Sequence, residues 1–113
     1  MLELASEESR YELSHPSGAT FVMSHWMLWM QDEVDKQCIE PDGKGGFAYS
    51  VSEERRLKIL HAVKDWRGVS QNGQEVPCTP ENKRKLPVGV VLWLVQEIDG
   101  RAGLRMSTQE KKT

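Results

Sequence analysis

The chain's nucleophilic and acid–base potential rests on His15, His25, His61, Cys38 and Cys78. Catalysis by such groups needs a nucleophile and a base at a spacing the fold can close, and these five are scattered. His61 falls one turn after Leu57 at the edge of a helix face, where a histidine is usually a border residue with a satisfied ring. Cys78 stands between Pro77 and Thr79, just before a helix start whose dipole would lower a thiol pKa. No base pairs with it, so a small apolar plug is its plainer role. Cys38 and Cys78 have no second pair, whereas zinc or a disulfide framework needs more ligands at closer spacing. Both read as reduced thiols of a cytosolic protein. Gly43-Lys44-Gly45-Gly46 is rich in glycine but lacks the spacing and flanks of a phosphate loop. The expectation is therefore no catalytic, metal-binding or cofactor-binding residue, and no enzyme.

Two other groupings point to binding. Lys83-Arg84-Lys85 is too short for a nucleic-acid footprint. It reads as a solvated helix face or, more sharply, as a docking patch for an acidic partner. Trp26-Met27-Leu28-Trp29-Met30 places five large apolar residues in a row. One helix in a small domain faces a core on one side, so part of this set is left for another chain. Trp and Met are favoured where a surface adapts to a partner. The candidate protein-binding residues are Trp26, Met27, Trp29, Met30 and Trp93.

The elements that must position these groups follow from local signals. Tyr11 and Leu13, then His15-Pro16-Ser17-Gly18, then Ala19 to Met23 read as a hairpin. Ser24 is placed as the cap of a helix running to about Lys36, with Met27, Met30, Val34 and Cys38 in one stripe. Pro41 to Gly46 is a loop, and Phe47-Ala48-Tyr49 a short strand or an anchored loop. Ser50 and Glu53 have capping-box spacing, with Ser52 a second cap. The helix they open is expected from about Ser52 to Asp65, with Leu57, Ile59, Leu60, Val63 and Trp66 inward and a Glu54–Lys58 pair on the exposed side.

Asn72-Gly73 favours a type I′ turn and puts Val69 opposite Val76. Thr79 caps the next helix, with Pro80 at its first position. Pro87 interrupts it, and a restarted or kinked helix carries Val88, Val91, Leu92, Val95 and Ile98 on one face before Asp99-Gly100 stops it. Trp66, Gly68, Asn72, Gly73, Thr79 and Pro80 are thus assigned structural roles.

Composition limits the classes. The chain has 113 residues, one domain's worth, with 28% charged residues and a net charge of −2. That balance argues against holding nucleic acid by bulk charge. The apolar run Val88 to Val95 is far short of the ~20 residues a membrane span needs. Glu3, Glu7, Glu8 and Glu12 crowd a start that a secretory signal would make basic and apolar.

The segment Val63-Lys64-Asp65-Trp66-Arg67-Gly68-Val69, Asn72-Gly73, Val76-Pro77-Cys78-Thr79-Pro80-Glu81-Asn82 and Leu86 resembles the tail assembly chaperones of long-tailed bacteriophages. In that family a helix ends in an aromatic and is followed by W-x-G-V, a short hairpin, V-P-apolar-[ST]-P-E-N and a further helix. The resemblance covers residues 60–98 closely and the first half loosely. The Trp- and Met-crowded first helix and the break at Pro87 depart from the family pattern. The resemblance implies a non-enzymatic assembly factor of the bacterial cytoplasm that holds the tape-measure protein, the tail-tube protein or both during tail assembly. It also implies a longer form made by ribosomal frameshifting, for which Lys111-Lys112 would supply the slippery codons. The alternatives are a small phage-encoded inhibitor or regulator acting by protein–protein binding and, more distantly, a structural tail or head-completion subunit.

The expected fold is α+β: a single domain over residues 1–103, fraying at 1–9, with about three helices packed against short β-hairpins. Residues 104–113 are expected as a polar C-terminal tail. The expected partners are proteins, including further copies of the chain, with no nucleic acid and no membrane.

Overall fold

The computed structural model describes residues 1–103 and is α+β. The expected tail and the Lys111-Lys112 pair lie outside the described residues. Residues 1–9 lie in no helix or strand.

The centre is a three-stranded antiparallel sheet. Strands β1 (Arg10–Ser14) and β2 (Thr20–Ser24) form the expected hairpin, with Tyr11 opposite Met23 and Leu13 opposite Phe21. Helix α1 (Leu28–Cys38), strands β3 (Ile39–Pro41) and β4 (Phe47–Tyr49), and helix α2 (Val51–Ala62) follow. Strand β5 (Val63–Arg67) then returns to β2, giving the order β1-β2-β5. A short hairpin of β6 (Ser70–Gln71) and β7 (Gln74–Glu75), the single-turn helix α3 (Pro80–Lys83) and helix α4 (Val88–Ala102) complete the fold.

Strand β5 corrects the expected helix over 52–65, which ends at Ala62. Val63 and Trp66 are three apart, a helical spacing, and both are buried. In a regular strand they would face opposite sides. The register shifts here: Met23 pairs with Val63 and the next residue back, Val22, pairs with Asp65. The extra residue is a β-bulge, and it returns Trp66 to the face that Val63 occupies. A bulged strand thus imitates a helical pattern.

The first helix also starts later than expected. Ser24 is no cap: it pairs with Arg10 in the sheet and is buried, and its hydroxyl donates to the His25 carbonyl at 3.3 Å. Met27 occupies the cap position without a side-chain bond. Trp26 and Met27 therefore lie in a connector, so the row of five large residues is divided between two backbone conformations rather than carried by one helix.

Two apolar clusters result. Leu13, Phe21, Met23, Val63 and Trp66 of the sheet meet Ile59 and Ala62 of α2 and Leu94 and Ile98 of α4. Val34 and Cys38 of α1 meet Leu57 on the other side of α2. Trp26 packs against both clusters, and its Nε1 donates to Gln31 Oε1 at 2.9 Å.

Local chemistry explains the remaining ends. Ser50 caps α2 by accepting from the Glu53 amide, and Thr79 caps α3 by accepting from the Asn82 amide. Pro87 divides α3 from α4, as a residue that cannot donate must. Asp99-Gly100 does not stop α4, which runs to Ala102 and closes on Gly103 at φ 79°. The expected exposed pair is corrected too. Lys58 is only 2% exposed because it lies between Glu54 and Asp99.

Candidate protein-docking groove

Helices α2, α3 and α4 do not close completely on one another. Between them runs a groove of about 490 Å³, within the ~300–1,000 Å³ of ordinary ligand clefts. Ile59 and Leu60 of α2, Leu86 ahead of α4, and Val88, Val91 and Leu92 on α4 line its apolar part. Val88 is 71% and Leu92 38% exposed.

This groove exposes part of the apolar face that the sequence assigned to α4. On that face Ile98 is buried and Val91 and Val95 pack half-buried against the core, whereas Val88 and Leu92 stay exposed and line the groove.

The charged part of the lining is Arg55, Arg56, Lys83 and Arg84, and among the described residues no acidic side chain lines it. Arg56 is engaged with Glu53 on its own helix. Lys83 Nζ donates to the Leu60 carbonyl at 3.3 Å, and burial pushes its pKa below the ordinary lysine value. Its ammonium is thus held over the apolar floor at the groove's edge. Two members of the Lys83-Arg84-Lys85 cluster face the groove, while Lys85 borders a separate shallow dent beside Val69 and Pro87.

The sequence-named binding residues are distributed differently. Met30 is 2% exposed and belongs to the interior. Trp26 and Met27 are half-buried in the connector. Trp93 is half-buried against Phe21 and against His15, whose ring meets it edge-on at 4.8 Å. Trp29, at 45% exposure, and its neighbour Leu28, at 77%, remain at the surface of α1, outside the groove.

A second apolar face lies on the β3–β4 ribbon. Ile39 pairs with Tyr49 and Pro41 with Phe47, so all four share one side, and all are exposed. This face did not stand out in the sequence, because it is assembled from two three-residue strands with few apolar residues apiece, and the groove did not because it joins Val88, Val91 and Leu92 to residues of two distant helices.

The six residues assigned structural roles run from β5 to the start of α3. Trp66 Nε1 donates to the Val76 carbonyl at 2.7 Å, tying the sheet to the β6–β7 hairpin. Asn72 (φ 53°) and Gly73 (φ 80°) make its turn, and Val76 donates to the Val69 carbonyl at 3.0 Å. Gly68, at φ 75°, lets the backbone pass close to the Gly18 carbonyl. Thr79 and Pro80 start α3.

Each histidine ring lies against an aromatic ring: His15 edge-on to Trp93, His61 edge-on to Trp29 and His25 tilted on Tyr11. The Cys78 thiol is pushed up by burial, which outweighs the lowering effect of Lys83. Burial raises the Cys38 thiol as well. Neither cysteine has the depressed pKa that marks an activated thiol. No described helix is long and apolar enough to cross a membrane. Among protein-family models, curated proteins and solved structures, none matches this chain.

Proposed function

We propose that this chain is a protein-binding assembly factor of the tail assembly chaperone kind, acting in the bacterial cytoplasm on a helical tape-measure protein. The observation that supports this most is the groove between α2, α3 and α4. An amphipathic helix docks by laying apolar side chains spaced at i, i+3 and i+4 into such a trough. A basic rim without acids selects a partner whose flanks are acidic. The W-x-G-V, Asn-Gly and Thr-Pro-Glu-Asn motifs that carry the resemblance build the hairpin and α3, and α3 supplies Lys83 to that rim.

Leu28 and Trp29 on α1 lie outside the groove. They favour a second reading, a small inhibitor or regulator that blocks one target through that patch.

Co-expression with the tape-measure protein encoded beside this gene tests the first reading. The expected result is a soluble complex that Leu92→Glu disrupts and Trp29→Ser leaves intact. No neighbouring tape-measure gene, or a complex lost only with Trp29→Ser, would move the assignment to the second reading. The same gene should carry a slippery run at codons 111–112 and an overlapping downstream frame.

A further inference from the structure

We infer that the segment ahead of β1 in one copy docks into the groove of a second copy. Residues 1–8 are Met1-Leu2-Glu3-Leu4-Ala5-Ser6-Glu7-Glu8. Met1, Leu2 and Leu4 are the most exposed large apolar side chains among the described residues, each at least 89% accessible. No described residue covers them. The segment carries Glu3, Glu7 and Glu8 and no lysine or arginine.

The groove has the opposite sign and the matching apolar character. Arg55, Lys83 and Arg84 stand at its rim, and Val88 and Leu92 stay exposed at its floor. Residues 104–113 would be a poor occupant by composition: they contain Arg105, Lys111 and Lys112 against Glu110 alone. Cations there would face cations.

A second copy fits better than the chain's own groove. The segment is tied back just before β1, where Ser9 donates to the Ser6 carbonyl at 3.1 Å and Arg10 reaches the Glu7 carbonyl. Beside β1, Arg101 near the C-terminal end of α4 lies 4.3 Å over the Tyr11 ring. The groove walls Val88, Val91 and Leu92 are at the other end of that helix, about 14 Å or more away along its axis. Residues 1–5, beyond these ties, would be used up in spanning that distance to their own groove, whereas exchange between copies leaves them free to lie along the groove.

The inference needs the groove to be a docking surface but not the tail-assembly reading. A chain that self-associates through the groove yet ignores the tape measure keeps the one and loses the other.

Sedimentation of the full chain over a range of concentrations tests it with two variants. Leu2→Ser/Leu4→Ser alters the segment, and Arg55→Glu/Arg84→Glu alters the rim. All four residues are exposed, so thermal melts should match the parent and confirm folding. The parent should associate with rising concentration. Each variant alone should associate about tenfold or more weaker. Mixed together, the two should bind each other, because one keeps a good groove and the other a good segment. A fluorescein-labelled peptide of residues 1–9 should bind the segment variant and not the rim variant, and salt should weaken it. A parent that stays monomeric at all concentrations overturns the inference, including the case where the segment closes on its own groove. So does association that both variants retain, or a mixture that fails to pair.

Discussion

Lys58 of α2 meets Asp99 of α4 across 41 positions of sequence, with Nζ 2.7 Å from Oδ1. Glu54 Oε1 lies 2.7 Å from the same ammonium. A buried cation held by two partly exposed acids pins the packing of α2 on α4. Asp99→Ala should cost about 1–3 kcal/mol, since it leaves the buried ammonium with one partner. Lys58→Met should cost less, because the acids it frees can turn to water. Burial lowers the Lys58 pKa, but the bonds to Asp99 and Glu54 outweigh it and raise the value above 10.5. The pair's contribution is therefore complete below that pH and lost as pH climbs through the raised folded value. Chemical denaturation of the parent and both variants, at neutral and strongly alkaline pH, checks the order and the sign.

Gly68 and Gly73 both sit at positive φ but differ in surroundings. A Cβ at Gly73 meets nothing within 4 Å, whereas one at Gly68 comes within 3.1 Å of the Gly18 carbonyl oxygen. Gly73→Ala should cost about 1 kcal/mol from backbone strain. Gly68→Ala should cost more, about 2–3 kcal/mol, because a hairpin loop must also give way. Gly73→Val should fall at about 1–3 kcal/mol. Equal melting temperatures for Gly68→Ala and the parent would contradict the close approach.

His61 is the acid-sensitive point. Its Nε2 is buried with no hydrogen-bond partner among the described residues. Burial holds its pKa below 6.5, helped by Lys64 and Lys83 and opposed by Glu33. The unfolded chain thus takes up the proton first. The stability due to neutral His61 is complete above about pH 6.5 and is lost as pH falls toward the lowered folded value. His61→Phe, which keeps a ring against Trp29, should flatten that part of the stability–pH curve. An unchanged slope would show that other groups produce it.

The four tryptophans should separate by quencher access. Trp29 is 45% and Trp66 5% exposed, with Trp26 and Trp93 between them. In single-tryptophan variants, acrylamide should quench Trp29 most and Trp66 least. A partner or second copy covering α1 would reverse the result for Trp29 alone.

Much of the fold could be read from the sequence because its signals are local. The Pro16-Ser17-Gly18 hairpin, the Ser50 and Thr79 caps and the Asn72-Gly73 turn each depend on a few adjacent residues. What escaped depends on contacts between distant segments. The strand character of Val63–Arg67 comes from pairing with β2, and its bulge disguised the period. Lys58 reads as a surface lysine until Asp99 comes over it from α4. The candidate site divides the same way. Lys83 and Arg84 were visible as a basic cluster, but the groove they border needs Arg55, Ile59 and Leu92 from two other helices. The row from Trp26 to Met30 drew attention by composition, yet a change of backbone at Met27 divides it: Met30 turns inward, Trp26 and Met27 are half-buried, and Leu28 and Trp29 stay exposed.

The path of the chain between β2 and β5 has a consequence for how the molecule assembles. The β1–β2 hairpin closes over a five-residue loop, whereas β5 joins β2 only after a detour of about forty residues through two helices and a ribbon. The hairpin can form in microseconds, and the third strand must wait until the α1–α2 excursion has compacted. The Asp42–Gly46 loop at the ribbon's tip is the far point of that excursion, and its side chains take no part in either apolar cluster. Doubling the length of such a detour costs only ~0.6 kcal/mol. A reporter peptide spliced between Gly43 and Lys44 should therefore slow the completion of the sheet slightly while leaving the finished fold intact, which makes that tip the natural place to label the protein.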